Sequence, residues 1–141
     1  MTRMEKFRRW MVVPTAALLI LAAFTGVPGN AQAVPISPNF QPDPQPLGGG
    51  TSGGTKDSGD CGFIADAPNL QVQLNEPFTY LRFTVQGAGQ PTLLIEGPGG
   101  RFCGLGQPEI SGFWKPGTYN IYVGDRAQGK NPFTLSVTAK P

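Results

Sequence analysis

The sequence predicts an all-β protein: a small antiparallel β-sandwich of six to seven strands behind an export signal and a disordered Pro/Gly linker. Three observations predict it. Between residues 61 and 141, apolar and polar residues alternate with a period of two in several short runs, as in half-buried strands. Gly and Pro punctuate those runs, and no stretch there keeps a 3.6-residue period long enough for a helix. The 141 residues include 20 Gly and 15 Pro, unevenly spread, so one part of the chain is compact and another is not.

Residues 1–33 read as a signal peptide. Arg3, Lys6, Arg8 and Arg9 form a positive start, residues 11–27 are uncharged and largely apolar, and Pro28-Gly29-Asn30 breaks that run. Ala31-Gln32-Ala33 then offers the small-x-small pattern of signal peptidase, which places cleavage between Ala33 and Val34. The apolar run spans roughly 26 Å as a helix, which is short for a permanent membrane anchor, and Pro14 weakens it further. The alternative is an uncleaved N-terminal anchor, the only way this chain is expected to meet a membrane. No cysteine follows the run as a lipoprotein would require, and the residues around Arg8-Arg9 fit twin-arginine export poorly, so Sec export is expected. The destination is periplasm, cell surface or medium.

The net charge of +2 reflects this leader, because the rest of the chain is slightly acidic. That balance excludes a nucleic-acid footprint. The chain contains no histidine, which excludes Ser–His and Cys–His nucleophile pairs and His-ligated metals.

Residues 34–60 contain 11 Pro or Gly among 27 positions. The first half, with five prolines, favours extended polyproline II, and the second has the composition of a flexible coil. So few apolar groups do not offset chain entropy, and the segment is expected to be a disordered tether.

The domain begins at Cys61. Leu70, Val72 and Leu74 alternate with polar residues, as do Leu81, Phe83 and Val85. Next come an apolar strand at residues 92–96, a short one at 101–103, and Tyr119, Ile121 and Val123 on one face of another. Phe133, Leu135 and Val137 complete the set. A core this thin gains from a covalent clamp, and Cys61 and Cys103 are the only cysteines, both in the exported part. A disulfide between them is expected; its loop of about 42 residues is worth roughly 4 kcal/mol in the chain-entropy model.

Several of these segments, taken in order, resemble a known family. They are Cys61-Gly62-Phe63-Ile64, Ala67-Pro68-Asn69, Phe83-Thr84-Val85, the run from Pro91 through Glu96 to Gly97-Pro98-Gly99-Gly100, Phe102-Cys103, and residues 115–124 with their Pro116-Gly117 turn. The domain is similar to bacterial pre-peptidase C-terminal domains and their stand-alone exported relatives, over residues 61–139. That resemblance implies a jelly-roll-like β-sandwich, non-catalytic itself, often appended to secreted peptidases and associated with substrate or matrix attachment. Some members bind calcium through Asp residues near the Leu-rich strand; here Gln90 and Thr92 stand at those positions. No metal and no cofactor is expected.

Catalysis by paired carboxylates would need two acids facing a cleft. Asp66, Glu76, Glu96, Glu109 and Asp125 are scattered over strand ends and turns, without a motif that pairs them, and the protein is not expected to be an enzyme. The aromatics are the better candidates for binding. Trp114 lies just before a turn, and Tyr80 and Tyr122 sit opposite the core residues Leu81 and Ile121. Trp114 either plugs the end of the sandwich or offers its face to a ligand. The tyrosines either join it in a ligand platform or pair across strands.

The function expected is therefore an exported binding module that adheres to an envelope or extracellular polymer: peptidoglycan, another polysaccharide or protein. A second reading makes it the accessory partner of a separately encoded secreted peptidase. A third is a small carboxylate-dependent hydrolase.

Overall fold

A computed structural model describes residues 33–141 of the protein. The expected signal peptide therefore lies outside the described residues except for Ala33, which directly precedes the first strand. The fold is all-β, with eleven strands in two sheets and no helix among the described residues.

Six of the strands are those the alternation predicts: β5 (Leu70–Leu74), β6 (Phe78–Gly87), β7 (Pro91–Gly97), β8 (Gly100–Gly104), β10 (Gly117–Asp125) and β11 (Pro132–Thr138). β4 (Phe63–Ile64) and β9 (Glu109–Trp114) join them. β9 escapes the pattern because Gly112 interrupts its inward face, with a φ of +149° that side chains rarely adopt.

Residues 34–60 correct the expectation of a disordered tether. They supply β1 (Val34–Ile36), β2 (Gln45–Thr51) and β3 (Lys56–Asp57). Each is an outer strand, where a proline without an N–H is tolerated because only one side pairs. β1 runs parallel to β5 and sends Ile36, 1% exposed, into the core, with Phe40 and Leu47 packing beside it. β2 pairs with β11, and the Asp43 carboxylate accepts from the Thr138 hydroxyl (2.6 Å) and the Ala139 N–H (3.2 Å). The glycines that imply flexibility permit close approach instead. A Cβ on Gly54 would strike the Ile64 carbonyl, and Gly53 donates to Val123 O at 2.9 Å. Main-chain pairing and a few well-placed apolar groups thus offset the ordering entropy that composition alone leaves uncompensated.

β10 is the axis of the seven-stranded sheet. β7 and then β8 lie on one side; on the other, β5 (carrying β1) pairs with its first half, and β4 (carrying β3) pairs at Asp125. The four-stranded sheet has the order β2-β11-β6-β9. The core lies between the sheets, where Val72, Leu74, Leu93, Ile95, Ile121 and Val123 face Leu81, Phe83, Val85, Phe133, Leu135 and Val137. A second, smaller cluster of Cys61, Ile64 and Leu94, with Cys103 and Tyr122 against it, covers part of the outer face of the seven-stranded sheet.

Candidate functional site

Because strand residues alternate between faces, the partners of core residues point outward, and the register of four strands aligns them. Asn120 on β10 stands opposite Gln71 on β5 and Glu96 on β7, and Glu96 stands opposite Arg101 on β8. The result is one polar row, Gln71–Asn120–Glu96–Arg101, crossing the outer face of the seven-stranded sheet. Its members are held by each other. Gln71 Nε2 donates to Asn120 Oδ1 at 2.7 Å, and Arg101 Nε lies 3.4 Å from Glu96 Oε2. On one side of the row Thr118 hydrogen-bonds Gln73; on the other Tyr122 lies opposite Leu94.

A lip closes this face at the β8 side. Arg101 Nη1 meets Asp60 Oδ1 at 2.6 Å, and Nη2 donates to Ser58 O at 3.1 Å. Ser58 in turn accepts from Cys61 N and donates to Gly62 O, which fixes the turn after β3. Between lip and row lies a groove of about 180 Å³ floored by Leu94 and Tyr122, with Lys56, Ser58, Glu96 and Arg101 along its walls. Burial raises the Tyr122 phenol above its ordinary pKa, and the Glu96 carboxylate adds to the rise, so the hydroxyl stays a neutral donor near pH 7. The hydrogen bond from Arg101 lowers the pKa of Asp60.

Cys61 and Cys103 form the expected disulfide, with their Cα atoms 5.8 Å apart. The bridge does not join the two sheets. It fastens the segment after the lip to β8, on the outer face.

The three candidate aromatics do not come together. Trp114 is 4% exposed and belongs to the core, as the plug of its two readings and not as a ligand platform. Its Nε1 donates to Leu81 O at 3.1 Å, and its ring meets Phe83, Tyr119 and Phe102 edge-on at 5.1, 5.4 and 5.6 Å. A large ring with its polar atom satisfied and three aromatic neighbours is a structural plug. Tyr80 lies on the outer face of the other sheet, accepts from Arg82 Nη1 at 3.1 Å, and lines a separate groove of about 250 Å³ with Pro38, Asn39 and Pro77. Only Tyr122 stands beside the polar row. The row itself is not legible in the sequence, because alternation identifies outward residues whereas register decides which of them meet.

Several carboxylates already have partners. Glu96 and Asp60 share Arg101, while Asp125, 2% exposed, accepts from Gln90 N, Ala127 N and Asn131 Nδ2. Among the described residues no three acidic or cysteine side chains gather as a metal site.

Two solved structures are similar to this chain. One is the pre-peptidase C-terminal domain of a collagenase from Bacillus anthracis, the domain class that the sequence resembles; it is 17% identical with a TM-score of 0.49, over 78% of this chain and 98% of that one. The other is PliG from Aeromonas hydrophila, a periplasmic inhibitor of g-type lysozyme, 13% identical with a TM-score of 0.41, over 77% and 98%. No family model matches the sequence. An uncharacterized protein of Synechococcus elongatus is 38% identical over 139 residues, which cover 93% of this chain and 96% of that protein. With that identity along nearly the whole of both chains, the protein belongs to the family of this Synechococcus elongatus protein.

Proposed function

We propose that the protein is an exported, non-catalytic β-sandwich module that binds an envelope or extracellular glycan on the outer face of its seven-stranded sheet. The observation that carries this reading is the row Gln71–Asn120–Glu96–Arg101 beside Tyr122. Sugar rings need donors and acceptors for hydroxyls together with apolar area for C–H faces. Two amides, a carboxylate, a guanidinium and a phenol ring provide both on one rigid surface. Strands hold these groups more firmly than loops, which limits the entropy lost on binding. Export is supported by the leader pattern and by a disulfide, which persists in an oxidising compartment. The non-catalytic reading is supported by Glu96 and Asp60, which share Arg101, and by Asp125, which is buried and bonded to the backbone.

The test is retention of the oxidised protein on insoluble peptidoglycan and a panel of polysaccharides. Asn120→Ala and Tyr122→Ala are each expected to reduce retention about ten-fold or more, since each removes a polar or stacking contact from a small site. Retention that both variants leave unchanged would move the site elsewhere. No retention on any polymer would overturn the glycan reading in favour of a protein partner.

A further inference from the structure

The free strand edges of the two sheets are unequal. β1 has three residues and a proline, β3 has two residues, β2 carries Pro46 and three consecutive glycines, and β8, paired only to β7, has five residues with a glycine at each end. Short strands, prolines and glycines are the usual means of blunting an edge against further pairing. β9 has six residues and no proline, and its one glycine, Gly112, is flanked by Ile110-Ser111 and Phe113-Trp114. It ends the four-stranded sheet, paired to β6 on one side and to no strand on the other among the described residues. Phe102, Leu105 and Phe113, 36%, 46% and 62% exposed, are the exposed large hydrophobics among the described residues, and all lie on β8, β9 or the turn between them.

We propose that β9 is the interface of a two-fold homodimer, in which two copies pair edge to edge and antiparallel with Gly112 opposite Gly112. Charge selects the second copy as occupant and sets the register. Ile110 and Trp114 face the core, so Glu109, Ser111, Phe113 and, one residue past the strand, Lys115 face outward. An antiparallel pair centred on Gly112 sets Glu109 of each copy against Lys115 of the other, twice, and each Phe113 against a Ser111. Centring on Ser111 or on Phe113 loses both ion pairs. Opposite charges directly across strands stabilise a pair and like charges destabilise it. The interface is self-complementary, as a two-fold contact requires. The four-stranded sheet becomes continuous across the dimer, and the two-fold axis runs normal to it. The outer faces of both seven-stranded sheets then turn to the same side, so two polar rows would meet one surface. The dimer does not depend on what those rows bind.

Sedimentation of the purified, oxidised protein over a concentration series tests this, with folding of each variant checked by near-ultraviolet circular dichroism. The wild type is expected to dimerise. Glu109→Lys and Lys115→Glu, which each create two like-charge pairs, should weaken association about ten-fold or more. The double reversal E109K/K115E restores opposite charges and should restore the dimer. Phe113→Ser changes only an exposed side chain and should also weaken it. A wild type that stays monomeric up to millimolar concentration would overturn the proposal, as would single reversals without effect or a double reversal that fails to rescue.

Discussion

Replacing Ile36 by alanine separates an integral N-terminal strand from a tether. Ile36 is 1% exposed, lies opposite Leu74 in the parallel pairing of β1 with β5, and packs in the main core. Truncation of a buried Ile to Ala costs about 2–5 kcal/mol, from lost transfer energy plus the cavity left behind. Here the cavity lies under a three-residue outer strand that can move inward, so the lower half of that range applies, about 2–3 kcal/mol. For a domain near one hundred residues that corresponds to a fall in Tm of roughly 10–20 °C. In urea it corresponds to a midpoint lower by about 1–2 M at an unchanged slope. The assay is thermal and urea unfolding by circular dichroism, with Pro46→Ala, an exposed position on β2, as the control expected to stay within about 0.5 kcal/mol. If Ile36→Ala matched the control, β1 would contribute nothing and the tether would be the better description of residues 34–60.

Reduction of Cys61–Cys103, or Cys103→Ser, should lower stability by about 3–4 kcal/mol, measured by unfolding with and without reductant. Trp114→Ala should cost about 3–5 kcal/mol as a core truncation, seen as a lower Tm, and any loss of binding should track the loss of fold. Asp60 titrates lower in the folded protein than in the unfolded chain, because Arg101 bonds its charged form. Its contribution to stability is therefore present above the ordinary carboxylate range and disappears as pH falls through the lowered folded value. Carboxyl NMR titration should find the Asp60 midpoint depressed, and Arg101→Ala should return it toward normal.

Much of the sandwich is legible in the sequence because a half-buried strand needs only its own alternation. Leu81, Phe83 and Val85 declare β6 without reference to any partner. What composition hides is structure borrowed from neighbours. Val34-Pro35-Ile36 has no pattern long enough to read, and it becomes a strand only because β5 offers a free edge and the core accepts Ile36. The site divides in the same way. Tyr122 is recognisable as an aromatic opposite a core position. Gln71 and Arg101 are ordinary polar residues thirty positions apart until β10 and β7 set them in one row. Trp114 shows the converse: its place before a turn admits a plug or a platform, and Leu81 O and the surrounding rings decide for the plug.

The disulfide links these two levels. Cysteine usage predicts a clamp for a thin core, yet the bond lies outside the core, in the cluster with Ile64 and Leu94. It anchors the chain immediately after Asp60, and Asp60 together with Ser58 O holds the Arg101 guanidinium at the end of the polar row. Reduction should therefore affect binding before it affects folding. With the bond open, the segment that carries Ser58 and Asp60 regains freedom, and Arg101 keeps only its 3.4 Å contact with Glu96 on the sheet. At temperatures where the reduced protein remains folded, its retention on a glycan that holds the oxidised form should fall several-fold, while Tyr80→Ala, on the other sheet, should leave retention unchanged. Equal retention by folded reduced and oxidised protein would mean that the lip has no part in the site, and that the bond contributes stability alone.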